Sequence, residues 1–135
     1  MMKEHFQVAN IPATLWGDTR KKLFIAVHGN LSHKEDTVIE LLANEVIGKG
    51  YQVLSFDLPE HGDRKGEDIP CKVQHCVQDL IEIGKYAQQN WSEVSLFACS
   101  MGAYFSLLAY RDISLKTALF LSPVVDMERI IRNMM

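Results

Sequence analysis

The chain has 135 residues, room for one domain with a real core and not for two. Hydrophobic residues make up 47% and charged residues 23%, the balance of a soluble globular protein. The net charge of −3 offers no basic surplus for a phosphate backbone, which argues against nucleic-acid binding. No apolar run approaches the roughly 18 residues of a membrane span.

Short apolar runs alternate with helical patterns, which predicts an α/β protein with a mainly parallel sheet flanked by helices. Phe6 to Ala9 and Ala13 to Trp16 read as an opening hairpin around Asn10-Ile11-Pro12. Leu23 to Val27 reads as a buried central strand ending at His28-Gly29-Asn30. A helix is expected from about Lys34 to Ile47, with Val38, Leu41, Leu42 and Val46 inward and Gly48 and Gly50 as stops. Val53 to Phe56 is the next strand, followed by a polar loop from Asp57 to Asp68. Pro70 is suited to opening a helix. Val73, Cys76, Val77, Leu80, Ile81, Gly84 and Ala87 then carry a helical stripe to about Asn90.

Val94 to Ala98 reads as a strand and Met101 to Tyr110 as a helix, apolar enough to be buried on nearly every side. Ala118 to Leu121 is the last strand. Met127, Ile130, Ile131 and Met134 then mark a helical face that reaches Met135 without a stop signal, as though cut. The N-terminus, Met1-Met2-Lys3-Glu4-His5, lacks the apolar region of a signal peptide, and the odd count of three cysteines fits reduced thiols. Both point to a cytoplasmic protein. Cys71, His75 and Cys76 lie close together, but Cys76 belongs to the apolar stripe and no second cluster completes a tetrahedral site, so no metal is expected.

The chemistry is concentrated in Leu96-Phe97-Ala98-Cys99-Ser100-Met101-Gly102-Ala103. A strand feeds directly into a helix, and a serine stands at the corner. Small residues at Ala98 and Gly102 flank it, as a sharp and strained turn requires. Such a corner pushes the serine oxygen out at the carboxyl end of the sheet. It also leaves the Met101 N–H free at a helix N-terminus, where it can hold an oxyanion. Cys99 beside the corner reads as a small buried hydrophobe.

In these residues the chain resembles the α/β-hydrolase family. Its nucleophile elbow, G-x-S-x-G, appears here as Ala98-Cys99-Ser100-Met101-Gly102. His28-Gly29-Asn30 and Asp57-Leu58-Pro59-Glu60-His61-Gly62-Asp63 match two further loops of the family in order, as does Ser122-Pro123. The resemblance covers essentially the whole of residues 1–135 as a single, partial domain: an α/β-hydrolase fold truncated after the sixth strand, with the last helix from about Asp126 beginning a cap or crossover. It implies a serine hydrolase acting on a small ester, thioester or amide. Ser100 would be the nucleophile, the backbone N–H groups of Asn30 and Met101 the oxyanion donors, and His28, His61 and Asp126 candidates for the pocket.

The family's order is serine, acid, histidine, yet all five histidines (His5, His28, His33, His61 and His75) precede Ser100. The acid and the base of the triad are therefore missing from these residues, and the chain alone should be inactive or very weak. Neither a cofactor nor a nucleic-acid or membrane partner is implied; the partner is a small acyl substrate. A non-catalytic hydrolase-like binding module is the alternative reading. A nucleotide-binding domain is disfavoured, because neither G-x-G-x-x-G nor G-x-x-x-x-G-K-[ST] occurs. An apolar strand left at a sheet edge near 118–121, with the helical face 127–134, predicts self-association into a homo-oligomer.

Overall fold

The computed structural model describes residues 2–121. The expected helix beyond Pro123, with Asp126 and the apolar face 127–134, lies outside the described residues. Six strands form one sheet in the order β1-β2-β4-β3-β5-β6. They are β1 (Lys3–Val8), β2 (Ile11–Trp16), β3 (Lys22–Val27), β4 (Tyr51–Phe56), β5 (Glu93–Cys99) and β6 (Ala118–Leu121). The last four run parallel, while the hairpin β1-β2 joins β4 antiparallel. The mainly parallel sheet with flanking helices is thus the architecture expected, opening hairpin included.

The hairpin turn differs from expectation. Val8 pairs with Ile11, so the loop is Ala9-Asn10 alone, and Pro12 already lies in β2. Ala9 and Asn10 both have positive φ (49° and 68°), as a tight two-residue hairpin demands. Pro12 has no N–H to give, but its carbonyl accepts from Asp57 N–H, so the turn sits beside the end of β4.

Alternation along β3 sorts the core into two layers. Leu23, Ile25 and Val27 face the larger cluster, together with α2 (Val73–Asn90) and α3 (Met101–Ala109). Phe24 and Ala26 face the other, together with Trp16, Val53 and α1 (Thr37–Val46). The buried Trp16 indole donates to Ser55 Oγ at 2.9 Å, which ties β2 to β4 beneath α1.

Three helix expectations need correction. The first helix starts at Thr37, not Lys34, because Asp36 caps it by accepting from Ile39 N–H. Its buried residues are Ile39, Ala43 and Val46, and Leu41 is 60% exposed. The inward stripe thus passes through Ile39 and Ala43, not Leu41. The long helix starts at Val73, not at Pro70, whose carbonyl instead receives Lys72 N–H. Finally, α3 is not buried all round. Met101, Gly102, Phe105 and Ser106 form its inner face, while Leu107 is 60% exposed. No described helix is long and apolar enough to cross a membrane.

Candidate active site

β3, β4 and β5 all end at the same edge of the sheet, and each end carries one of the motifs. Ser100 lies between β5 and α3 with φ 55° and ψ −123°, a conformation that L-residues adopt only under constraint. The constraint is visible in its bonds. Ser100 N–H donates to Leu121 O on β6 at 2.8 Å, and Ser100 O accepts from Ala103 N–H at 3.0 Å. Ser100 is half-buried, between a fully enclosed Ala98 and a fully enclosed Met101. Met101 opens α3, so its N–H has no acceptor within the helix.

Close backbone approach explains the glycines. A Cβ at position 102 would lie 2.7 Å from His28 O and 2.8 Å from Val27 Cγ1. The neighbour that forbids a side chain there is β3, not Ala98. A Cβ at position 29 would sit 3.1 Å from Ser100 Cβ. The His28-Gly29 loop therefore lies directly against the serine, and the following residue, Asn30, is exposed at its rim.

Both histidines at this edge are fully employed. His28 is completely buried; its Nδ1 donates to Gly29 O at 2.7 Å and its Nε2 accepts from Leu58 N–H at 3.0 Å. Burial drives its pKa down to about 4, so the ring is neutral at pH 7. His61, also buried, donates from Nδ1 to Pro59 O at 2.9 Å and accepts at Nε2 from Leu31 N–H at 3.1 Å. The Cys71 thiol beside the ring, more than any other group, raises its proton affinity above the ordinary histidine value. Donation from Leu31 N–H opposes this by requiring a lone pair on Nε2. The two rings lie 5.0 Å apart, centroid to centroid. Neither has a nitrogen to spare for the Ser100 hydroxyl. Their bonds instead pin the loop that carries Asn30, from Gly29 on one side and from Leu31 on the other, a role the sequence did not disclose.

Beneath the loops lies a buried charge cluster that sequence reading missed. Asp57 is completely buried; its carboxylate accepts from Lys34 N–H (2.9 Å), Lys34 Nζ (2.9 Å) and Asp63 N–H (3.0 Å). Burial alone would lower the Lys34 pKa, but bonds to Asp63 and Asp57 outweigh it and raise the value. Gly62, with φ 54°, closes the cradle. A Cβ there would fall 2.2 Å from the Asp57 carboxylate, so only glycine fits. The sequence signal was the Asp57-to-Asp63 loop itself; its lysine partner, 23 residues upstream, left no local pattern.

Similar chains fall in one structural group. TT1662 from Thermus thermophilus matches with a TM-score of 0.74 and 19% identity, over 97% of this chain and 66% of that one. The Pyrococcus furiosus esterase PF2001 matches with a TM-score of 0.72 and 16% identity, over 91% and 49%. A laboratory evolved variant of a potato epoxide hydrolase matches with a TM-score of 0.73 and 20% identity, over 89% and 39%. The chain thus spans between 39% and 66% of the length of these structures. At these identities the likeness establishes the fold alone. No curated protein matches the sequence. A family model described as serine aminopeptidase, S33, matches residues 18–135 and takes in the loops that follow β3, β4 and β5. The chain belongs to this family of α/β-hydrolases.

Proposed function

We propose that the domain is the nucleophile-bearing part of a serine hydrolase that cleaves a small ester, thioester or amide. The observation that carries this reading is the Ser100 backbone, held at φ 55° on a strand-to-helix corner with a glycine loop packed against it. A strained corner without a purpose would be a cost of about 1–3 kcal/mol. In this reading Ser100 Oγ attacks the substrate carbonyl carbon and its proton passes to a base. The N–H groups of Met101 and Asn30 receive the negative charge that develops on the carbonyl oxygen. Collapse of the tetrahedral intermediate expels the alcohol, thiol or amine, and water then releases the acyl group.

The base is neither His28 nor His61, since both ring nitrogens of each are engaged. Sequence beyond residue 135 supplies the acid and the histidine in this reading. In one serine protease, loss of the histidine costs on the order of 10⁶ in turnover, so residues 1–135 alone should turn over little or nothing. The same engaged rings favour the second reading, a non-catalytic binding module, for the 135 residues taken by themselves.

Intact-mass measurement with a fluorophosphonate tests the proposal. A chain extended through the histidine should gain one adduct, abolished by Ser100→Ala, while the 135-residue chain labels far more slowly. An extended, folded chain that gains no adduct, or keeps it in Ser100→Ala, sinks the hydrolase reading and leaves the binding module.

A further inference from the structure

Two of the three cysteines face each other where the loop after β4 meets α2. Cys71 Sγ and Cys76 Sγ are 3.6 Å apart, within reach of a thiol hydrogen bond and not joined as a disulfide. The two residues differ in setting. Cys71 precedes the helix cap Lys72, is half-buried, and lines an open cleft of about 550 Å³ together with Asn30, Glu60, His61 and Lys65. Cys76 lies in the second turn of α2, completely buried behind it.

We propose that Cys71 and Cys76 form a peroxide-reactive thiol pair, Cys71 the attacking thiol and Cys76 the resolving one. Geometry assigns the roles. Only Cys71 opens on the cleft, and it sits at the N-terminal end of an 18-residue helix, where the backbone field favours an anion. His61 and the cations Lys65 and Lys72 line the same cleft. The Cys76 thiol aimed at Cys71, and then His61, pull the Cys71 pKa below the ordinary thiol value. The Cys71 sulfur and burial push that of Cys76 up. Cys99, raised to about 11 by burial, is an internal control.

The chemistry balances with a hydroperoxide as oxidant. The Cys71 thiolate attacks the terminal peroxide oxygen; the O–O bond breaks, and the departing oxide takes a proton and leaves as water or alcohol. Cys71 is then a sulfenic acid. Cys76 sulfur attacks Cys71 sulfur, the S–O bond breaks, and the hydroxide leaves as water with the Cys76 proton. Two thiols are oxidised by two electrons and one peroxide is reduced. The sulfurs must close from 3.6 Å to about 2.05 Å. Cys71 lies outside the helix, on a segment whose backbone can yield; its N–H is held only by the exposed Glu60 carboxylate at 2.6 Å.

The test uses the unmodified 135-residue chain and no hydrolase assay, so its outcome is independent of the function proposed above. The chain is treated with hydrogen peroxide at pH 7, alkylated, and mapped by mass spectrometry. The expected result is a loss of two hydrogens, a Cys71–Cys76 link within one chain, and Cys99 still alkylatable after unfolding. Cys71 in the reduced protein should also react with iodoacetamide at least about ten times faster than Cys99. In Cys76→Ala, dimedone should trap a sulfenic acid at Cys71. If that variant does not fold, the mapping of the unmodified chain decides. Peroxide sufficient to oxidise glutathione that leaves both thiols free, or a link to Cys99 or between chains in place of Cys71–Cys76, overturns the proposal.

Discussion

His28 shows how a residue can be indispensable to a site without taking part in its chemistry. Its two ring nitrogens bridge Gly29 O and Leu58 N–H, so the imidazole acts as a rigid strut between two loops. A strut that must stay neutral makes stability depend on pH. The folded value of about 4 lies below the unfolded 6.5, so the unfolded chain binds the extra proton first. The contribution is complete above pH 6.5 and drains away as the pH falls toward 4. Glu35 acts in the same sense at lower pH. Burial would raise its pKa, but Lys3, Thr14 and His5 outweigh this and bring it to about 2, so its contribution is lost between 4.5 and 2. Asp79, whose carboxyl burial raises despite Arg64, works against both near its own titration. We expect denaturant-measured stability to fall between pH 6 and 4.5, with a slope of up to about 1.4 kcal/mol per pH unit. The slope should shrink in His28→Gln; an unchanged slope in that variant would rule the strut out as its source.

At the scale of elements, the most legible feature was the corner at Ser100, and the reason is local. Strand, serine and helix are contiguous, and small residues at 98 and 102 leave a pattern within five positions. Strand positions were legible to within three residues at either end because apolar runs bounded by turns have few alternatives. Helix faces were less so. In α1 the stripe shifted because the cap at Asp36 sets where the helix begins, and Leu41 looks as apolar as Ile39. In α3 nearly every residue is apolar, so composition carries no face; packing against β3 and α2 chose one. The bonds of His28 and His61 were invisible because they depend on loops 30 residues away.

The α2–α3 contact offers a quantitative check on that packing. Tyr110, at the C-terminal cap of α3, is 4% exposed, and its hydroxyl donates to Leu80 O at 2.6 Å. Its ring covers Gly84, where a Cβ would come within 2.8 Å of Tyr110 Cε1. Tyr110→Phe keeps the ring and should cost about 1 kcal/mol in chemical denaturation. Tyr110→Ala removes the ring and should cost about 3–5 kcal/mol. Equal losses for the two would mean that the hydroxyl, not the ring, holds the helices together.

For the molecule as a whole, the two flanks of the described sheet differ in character. The largely polar strand β1 ends one, whereas β6 ends the other with Leu119, Phe120 and Leu121 46%, 46% and 47% exposed. An apolar strand with an unpaired edge is a template for pairing. We predict that the 135-residue chain self-associates through it, the mass rising with concentration in sedimentation equilibrium. Phe120→Lys should return the chain to a monomer. Sedimentation as a monomer of 15.4 kDa at all concentrations would contradict this.

The one hydrogen bond from Ser100 N–H to Leu121 O gives that flank a reach beyond its own strand. The corner carrying the serine hangs from the outermost described rung of the sheet. Amide exchange at Ser100 should therefore follow the breathing of β6 and not the slow opening of β3 and β4. Whatever lies against β6, whether a second molecule or more of the same chain, would slow the exchange of that amide and narrow the range of orientations open to the serine hydroxyl.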